Sequence, residues 1–302
     1  MPLRGKLLQQ ELLARYTSFR IGGPADFFFI PEDERDLIEG LAHCKKEGIR
    51  WFVLGNGSNI LVSDDGIRGM VISLSSPFFR KIVFEGNTLT VGAGAKTGTV
   101  LHEAVERSFG GIEFLGAVPG TMGGVFFMNA GTYLGEIADA VLEVRFLDTD
   151  LVSRVLPKAS LNFQYRKSIF QKNPWVIVEG KLALVPMVKN EAKSKVKAIL
   201  DRRKKTQPLG IPSAGSAFQN PPGHSSWQLV EAAGLRGFSI GDAAVSDAHT
   251  NFVINKGNAK ASEVFQLMRL IQEKVFQKTG ILLEPEVRLV GEWQEDFLRD
   301  KK

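Results

Sequence analysis

The sequence predicts a mixed α/β protein of two or three domains with glycine-rich, anion-binding turns. Three observations predict it. The chain has 302 residues, long for one core and suited to several domains of ordinary size. Short apolar runs of strand character alternate along it with amphipathic helical patterns. Residues 114–135, FLGAVPGTMGGVFFMNAGTYLG, hold six glycines and no charge.

An uncharged run of that length first raises a membrane helix. Pro119 and the glycines break helices, however, and Thr121, Asn129 and Thr132 are polar. The run therefore reads as a buried loop-and-turn segment lying against a large ligand. Glycine reaches positive φ and puts no Cβ in a ligand's way. Amides in such turns form concavities that hold phosphate oxygens. From the run alone, a tightly packed core turn explains it equally well.

Composition narrows the class. Hydrophobic residues at 44% and charged residues at 24% are ordinary for a soluble globular chain. A net charge of +5 suits an anionic small ligand. No basic run is interleaved with aromatics, so no nucleic-acid partner is expected. The single cysteine, Cys44, permits no internal disulfide or cysteine-based zinc site. The four histidines, His43, His102, His224 and His249, share no ligand spacing, so no metal is expected. Residues 1–17 mix charges into their apolar residues and lack a signal peptide's hydrophobic core. A cytoplasmic protein without membrane insertion is the expectation.

The elements follow in order. Residues 19–30 pair a Gly-Gly-Pro turn with an apolar strand. Residues 35–47 place Leu37, Ile38, Leu41 and Ala42 on one helical face, closed by Gly48. Residues 51–74 read strand, turn, strand, turn, strand. The turn at 55–59, Gly-Asn-Gly-Ser-Asn, is a plausible pyrophosphate cradle. It is not a dinucleotide fingerprint: Ile60 takes the third glycine's place and a strand follows. A second decoy, residues 92–98, follows a strand and opens a helix, but its last glycine stands one residue too far along. Residues 141–148 and 151–156 read as a hairpin and 175–184 as a strand. Residues 186–205 form a charged helical connector marking a domain boundary. Residues 207–222 read as a rigid, helix-free loop. A short helix follows at 225–234, with a Ser225/Gln228 capping-box pattern. Residues 258–279 are the strongest helix, stopped by Gly280. Residues 281–290 read as a strand interrupted by Pro285.

Motifs in register go further than any one of them. In order the chain carries FRIGGPA at 19–25, LGNGSN at 54–59, PGTMGG at 119–124 with NAG at 129–131, YR at 165–166, GSAFQN at 215–220 and EPEVR at 284–288. Over nearly the whole chain this set closely resembles the UDP-N-acetylenolpyruvoylglucosamine reductase (MurB) family of peptidoglycan synthesis, in its compact branch without a tyrosine-bearing loop.

The resemblance implies an α+β fold: a two-part FAD-binding domain of the vanillyl-alcohol-oxidase (PCMH) type and a C-terminal α+β substrate domain. The expected domains are residues 1–72, 73–188 and 189–302. It implies that NADPH reduces bound FAD, which then reduces the enolpyruvyl double bond of a UDP-sugar. Three residues match the family's catalytic positions. Arg166 would hold charge developing beside the substrate carboxylate. Glu286, when protonated, would donate to the same enolate. Ser216 would give the final proton. Matched FAD positions are Arg20, Gly55, Asn56, Gly57, Ser58, Asn59, Gly120, Thr121, Gly123, Gly124, Asn129 and Gly131. Tyr133, Arg203 and Asn220 match substrate positions.

The departures are informative. No tyrosine lies between Arg166 and Ser216, and Tyr133 is the residue expected to cover part of that role. Phe126 and Phe127 are bulkier than the family pattern suggests. A monomer is expected. Two rivals stay open: another flavin oxidase on the same fold, and a non-catalytic FAD-binding regulator.

Overall fold

The computed structural model describes residues 3–294 and 296–298. The outer ends of the first and third expected domains, residues 1–2 and 299–302, lie outside them, as does residue 295. The chain divides into two units, neither of them one continuous stretch. The first comprises Met1–Gln9, Phe27–Asn56 and Gly69–Arg202, and the second Gln10–Asp26, Gly57–Arg68 and Arg203–Lys302.

In the first unit, helix Glu34–Glu47 starts where the Asp33 side chain accepts the Asp36 amide. It stops at Gly48, whose φ of 67° is left-handed. Leu37, Leu41 and Cys44 face its core. Strand Trp51–Val53 runs parallel to Ile67–Ile72, pairing Trp51 with Met70. A five-stranded antiparallel sheet follows the order Ser153–Pro157, Val141–Leu147, Val176–Ala183, Thr88–Gly92, Ile82–Glu85. Residue 180 has to be glycine, because a Cβ there would stand 2.2 Å from the Phe126 ring. That contact seats helix Met122–Met128 on the sheet and buries Phe126 completely.

The second unit has a four-stranded sheet in the order Ser213–Ser216, Phe252–Asn255, Ala243–Val245, Ser239–Ile240. Helix Ala261–Thr279 buries Val264, Leu267, Met268, Ile271 and Val275 in that unit's core. Its first amides are taken up by Asp64, whose two oxygens accept from Ala261 and Ser262 at 2.7 and 3.0 Å. Strand Ile60–Val62 pairs in parallel with Arg288–Val290.

Four readings of the sequence need correction. Residues 114–135 are not all loop: helix Met122–Met128 interrupts them. Burial of Met122, Val125 and Phe126 outweighs the weak helix propensity of two glycines in the first turn. Within 207–222, Ser213–Ser216 is a strand, because Phe252–Asn255 offers a partner that sequence cannot show. The Ser225 capping box does not form. Instead Asn220 Oδ1 accepts the Ser226 amide at 2.9 Å. The last strand is only Arg288–Val290, since residue 285 is a proline and makes just an isolated bridge to Phe218. Strand Lys6–Leu12 has no counterpart in the sequence reading; its alternation is mostly polar.

Candidate active site and cofactor cradle

The glycine turns divide by why they are glycine. A Cβ at Gly57 would meet the Tyr16 carbonyl oxygen at 2.3 Å, and Gly57 also has a φ of 59°. A Cβ at Gly131 would meet Glu136 at 2.5 Å, and one at Gly123 would meet the Ala93 Cβ at 3.0 Å. These three are required by the protein's own packing. Gly124 is different. It is exposed, its φ is not positive, and its nearest neighbour for a Cβ is Thr121 Oγ1 at 3.8 Å. Nothing in the protein demands glycine there, whereas a ligand pressed to the backbone would.

Amide accounting agrees. Met122 and Gly123 donate to the Ala95 and Ala93 carbonyls at 2.9 and 2.8 Å. The amides of Gly120, Thr121 and Gly124 make no hydrogen bond among the described residues. The same holds for Gly55 and Asn56 in the first unit, and for Gly57 and Asn59 in the second. Within the first unit, the unspent N–H groups of Gly55, Asn56, Gly120, Thr121 and Gly124 fit the phosphate oxygens of a dinucleotide. The turn of Thr121 also lies beside Gly55, where a Cβ would come within 2.6 Å of Thr121 Oγ1.

Other expected cofactor residues are tied to the protein. Asn129 is fully buried in the left-handed region at φ 44°. Its Nδ2 donates to the Gln164 carbonyl at 3.0 Å and its Oδ1 accepts the Ala138 amide at 3.1 Å. Asn59 Nδ2 donates to the Glu286 carbonyl at 3.1 Å. Arg20 is exposed at φ 55°, its amide donating to Thr17. Ser58 is half-buried in the same turn as Gly57.

Of the catalytic candidates, Arg166 stands in the first unit with a left-handed φ of 57°. Its Nη2 donates to the Gly131 carbonyl at 2.9 Å, and its guanidinium lies 4.8 Å from the Tyr165 ring centre. Gln171, which sequence reasoning missed, secures this loop. Its Nε2 donates to the carbonyls of Arg166 at 2.9 Å and of Phe127 at 3.0 Å. A lone glutamine in a polar stretch carries no signal that would have singled it out.

Ser216 and Glu286 come together in the second unit. The Glu286 amide donates to the Ala217 carbonyl at 2.9 Å, and the Gln219 amide to the Glu284 carbonyl at 2.8 Å. Gly215, at φ 76°, lies where the ladder with Phe252–Asn255 slips register. A bulge of this kind re-aims the residue beside it, and here that residue is the serine.

Each expected substrate residue is tied to a neighbour within its own unit. Tyr133 is 68% exposed on the tip of a hairpin, and the Arg202 guanidinium covers its ring at 4.2 Å. Arg203 Nε donates to Gln207 Oε1 at 3.0 Å, and burial pulls its guanidinium below the usual arginine range. Asn220 spends its Oδ1 on the cap described above.

Comparison with known proteins decides the lineage. Residues 207–290 match the model of the UDP-N-acetylenolpyruvoylglucosamine reductase C-terminal domain, and residues 25–150 that of an FAD binding domain. A UDP-N-acetylenolpyruvoylglucosamine reductase of Caldanaerobacter subterraneus is 42% identical over 95% of this chain and 95% of its own. The chain belongs to the UDP-N-acetylenolpyruvoylglucosamine reductase family. A Clostridium botulinum family member is 40% identical over 95% of this chain and 94% of its own. The crystal structure of the Thermus caldophilus enzyme superposes with a TM-score of 0.82 at 35% identity, covering 95% of this chain and 99% of that one. The family's α+β fold, with its FAD-binding domain of the vanillyl-alcohol-oxidase type and its C-terminal domain, is therefore the fold of this chain. Among the described residues no helix is long and apolar enough to cross a membrane.

Proposed function

We propose that this chain reduces the enolpyruvyl ether of UDP-N-acetylglucosamine to UDP-N-acetylmuramate, using NADPH through bound FAD. The family membership and the FAD binding domain support the reaction. The single observation that carries the reading is the hydrogen bond from the Glu286 amide to the carbonyl of Ala217, which follows Ser216 beside a glycine bulge. When bound, FAD would supply hydride chemistry between NADPH and the terminal vinyl carbon of the substrate.

The chain's residues do the rest. The unspent amides of Gly55, Asn56, Gly57 and Asn59, and those of Gly120, Thr121 and Gly124, bind the cofactor's two phosphates. Gly124 lets the backbone approach. Asn129 and Gly131 shape the turn, and Arg20 and Ser58 add polar contacts. Arg166 grips the substrate carboxylate, where negative charge grows as the hydride arrives. Its cation is permanent, and its fork fits two oxygens. Glu286 in its protonated form shares that charge. The Ser216 hydroxyl gives its proton to the neighbouring carbon, completing the addition of one hydride and one proton across the double bond. Tyr133, Arg203 and Asn220 contact the substrate, Arg203 at the UDP phosphates. Cytoplasmic location and a monomeric state complete the reading.

The test is to bleach the purified yellow protein with NADPH without oxygen, then add the enolpyruvyl UDP-sugar. Return of the flavin colour with stoichiometric product supports the reading. A protein that NADPH bleaches but only oxygen recolours is an oxidase instead.

A further inference from the structure

Next to the segment of Ser216 lies one buried side chain that has no part in the chemistry above. Asn251 is 4% exposed. Its Oδ1 accepts the Phe218 amide at 3.0 Å, and its Nδ2 donates to the Phe218 carbonyl at 2.8 Å. Its own carbonyl accepts the Ala217 amide at 2.7 Å. The side-chain amide thus pairs with Phe218 as a neighbouring strand would. Asn251 is itself held, its amide donating to His249 Nδ1 at 3.3 Å.

These bonds lie where regular pairing gives out. The ladder between Ser213–Ser216 and Phe252–Asn255 slips after Ser213 and resumes only at Ser216, opposite Phe252, so within the sheet the serine's place rests on that one terminal pairing. Beyond the slip, Asn251 holds one side of residues 217–218. The backbone of 284–286 holds the other, through Ala217 and Gln219. Only an amide serves this site. A carboxylate would set an oxygen against the Phe218 carbonyl, and an alkyl group would leave both Phe218 groups unpaired.

We propose that Asn251 is a positioning residue for the reduction: it fixes the segment carrying Ser216 and, through the Ala217 carbonyl, the register of Glu286. This rests on the functional reading above. Asn251 touches neither cofactor nor substrate in it, so its loss acts only on the half-reaction that needs the serine.

The experiment uses the FAD-loaded full chain and the variants Asn251→Asp and Asn251→Ala. FAD content and the rate of bleaching by NADPH are expected to stay within about twofold of the parent. Recolouring of the reduced enzyme by the enolpyruvyl UDP-sugar is expected to slow roughly ten- to a hundredfold, as for a small misplacement of a reacting group. Asn251→Asp keeps the acceptor for the Phe218 amide and carries the test when the alanine variant melts early. Equal loss in both half-reactions, unchanged recolouring, or failure of both variants to fold overturns the assignment. A parent enzyme that the sugar does not recolour overturns the functional reading instead.

Discussion

Arg166 and Ser216 are aimed by opposite means. Arg166 sits on an irregular loop in a left-handed backbone conformation, at φ 57°, that costs a non-glycine residue roughly 1–2 kcal/mol. Side chains and carbonyls of the same unit hold it there: Gln171 on its carbonyl, Gly131 on its guanidinium. Ser216 ends a strand, and a glycine in front of it takes up the backbone irregularity at no steric cost. The contrast teaches where precision comes from. A permanently charged fork tolerates a scaffold of a few side-chain bonds, because its reach and its two prongs absorb small errors. A hydroxyl in the proposed role of proton donor would work at one distance only, and the segment of Ser216 is braced from both sides.

That comparison can be broken in several ways. The largest effect belongs to Ser216→Ala. Reduction by NADPH should persist, while recolouring by the enolpyruvyl sugar falls about 10²–10⁴-fold, the range for a lost proton donor. Equal damage to both half-reactions in stopped flow would remove the serine from its assigned place. Arg166→Lys keeps charge and loses the fork. It should slow the same half-reaction by about 10²-fold, and near-normal turnover would dismiss Arg166 as the electrostatic partner.

The cradle offers a sharper contrast between adjacent residues. Gly124→Val should strip FAD from the purified protein with little loss of fold, because a Cβ there comes no nearer the protein than ordinary contact with Thr121 Oγ1 at 3.8 Å. Gly123→Ala should instead destabilise the fold by about 1–3 kcal/mol, as crowding against Ala93 does in a packed core. Flavin absorbance per chain and thermal melts separate the two, and swapped outcomes would move the cofactor off this turn. Gln171→Ala removes a donor to two carbonyls and should cost about 1–2 kcal/mol of stability. It should also raise the KM for the sugar more than that for NADPH. The smallest effect is one of pH. Burial, then the nearby Arg236, holds the His249 imidazole below its usual 6.5. The unfolded chain therefore takes up that proton first. The contribution to stability is complete above pH 6.5 and drains away as pH falls below it. The melting temperature should drop over that window in the parent and less so in His249→Asn.

Much of this was legible in the chain. Helix Glu34–Glu47 was readable from its periodicity and its terminal glycine, as was helix Ala261–Thr279. The hairpin of Val141–Leu147 with Ser153–Pro157 was readable from two apolar runs around a polar turn. The candidate site was legible as motifs in register, not as geometry. What stayed hidden were bonds between residues far apart in number. Asn251 meets Phe218 across 33 residues, and Asn59 meets Glu286 across 227. No local pattern announces either pair. Helix Met122–Met128 was hidden for another reason: propensity spoke against it, and only the pocket over Gly180 spoke for it.

By itself the sequence determined which residues are chemically able: where glycines free the backbone, where a fixed cation, a hydroxyl and a carboxyl stand in the chain, and which periodicities bury a face. Those are properties of side chains and of local torsions, and they need no partner. The tertiary structure alone decided that the protein's own packing uses Gly57, Gly123 and Gly131, and that it leaves room at Gly124. It also decided that the Glu286 amide bonds the carbonyl of Ala217, the residue after Ser216. Both depend on distances between segments remote in the chain, which exist only once the cores have packed.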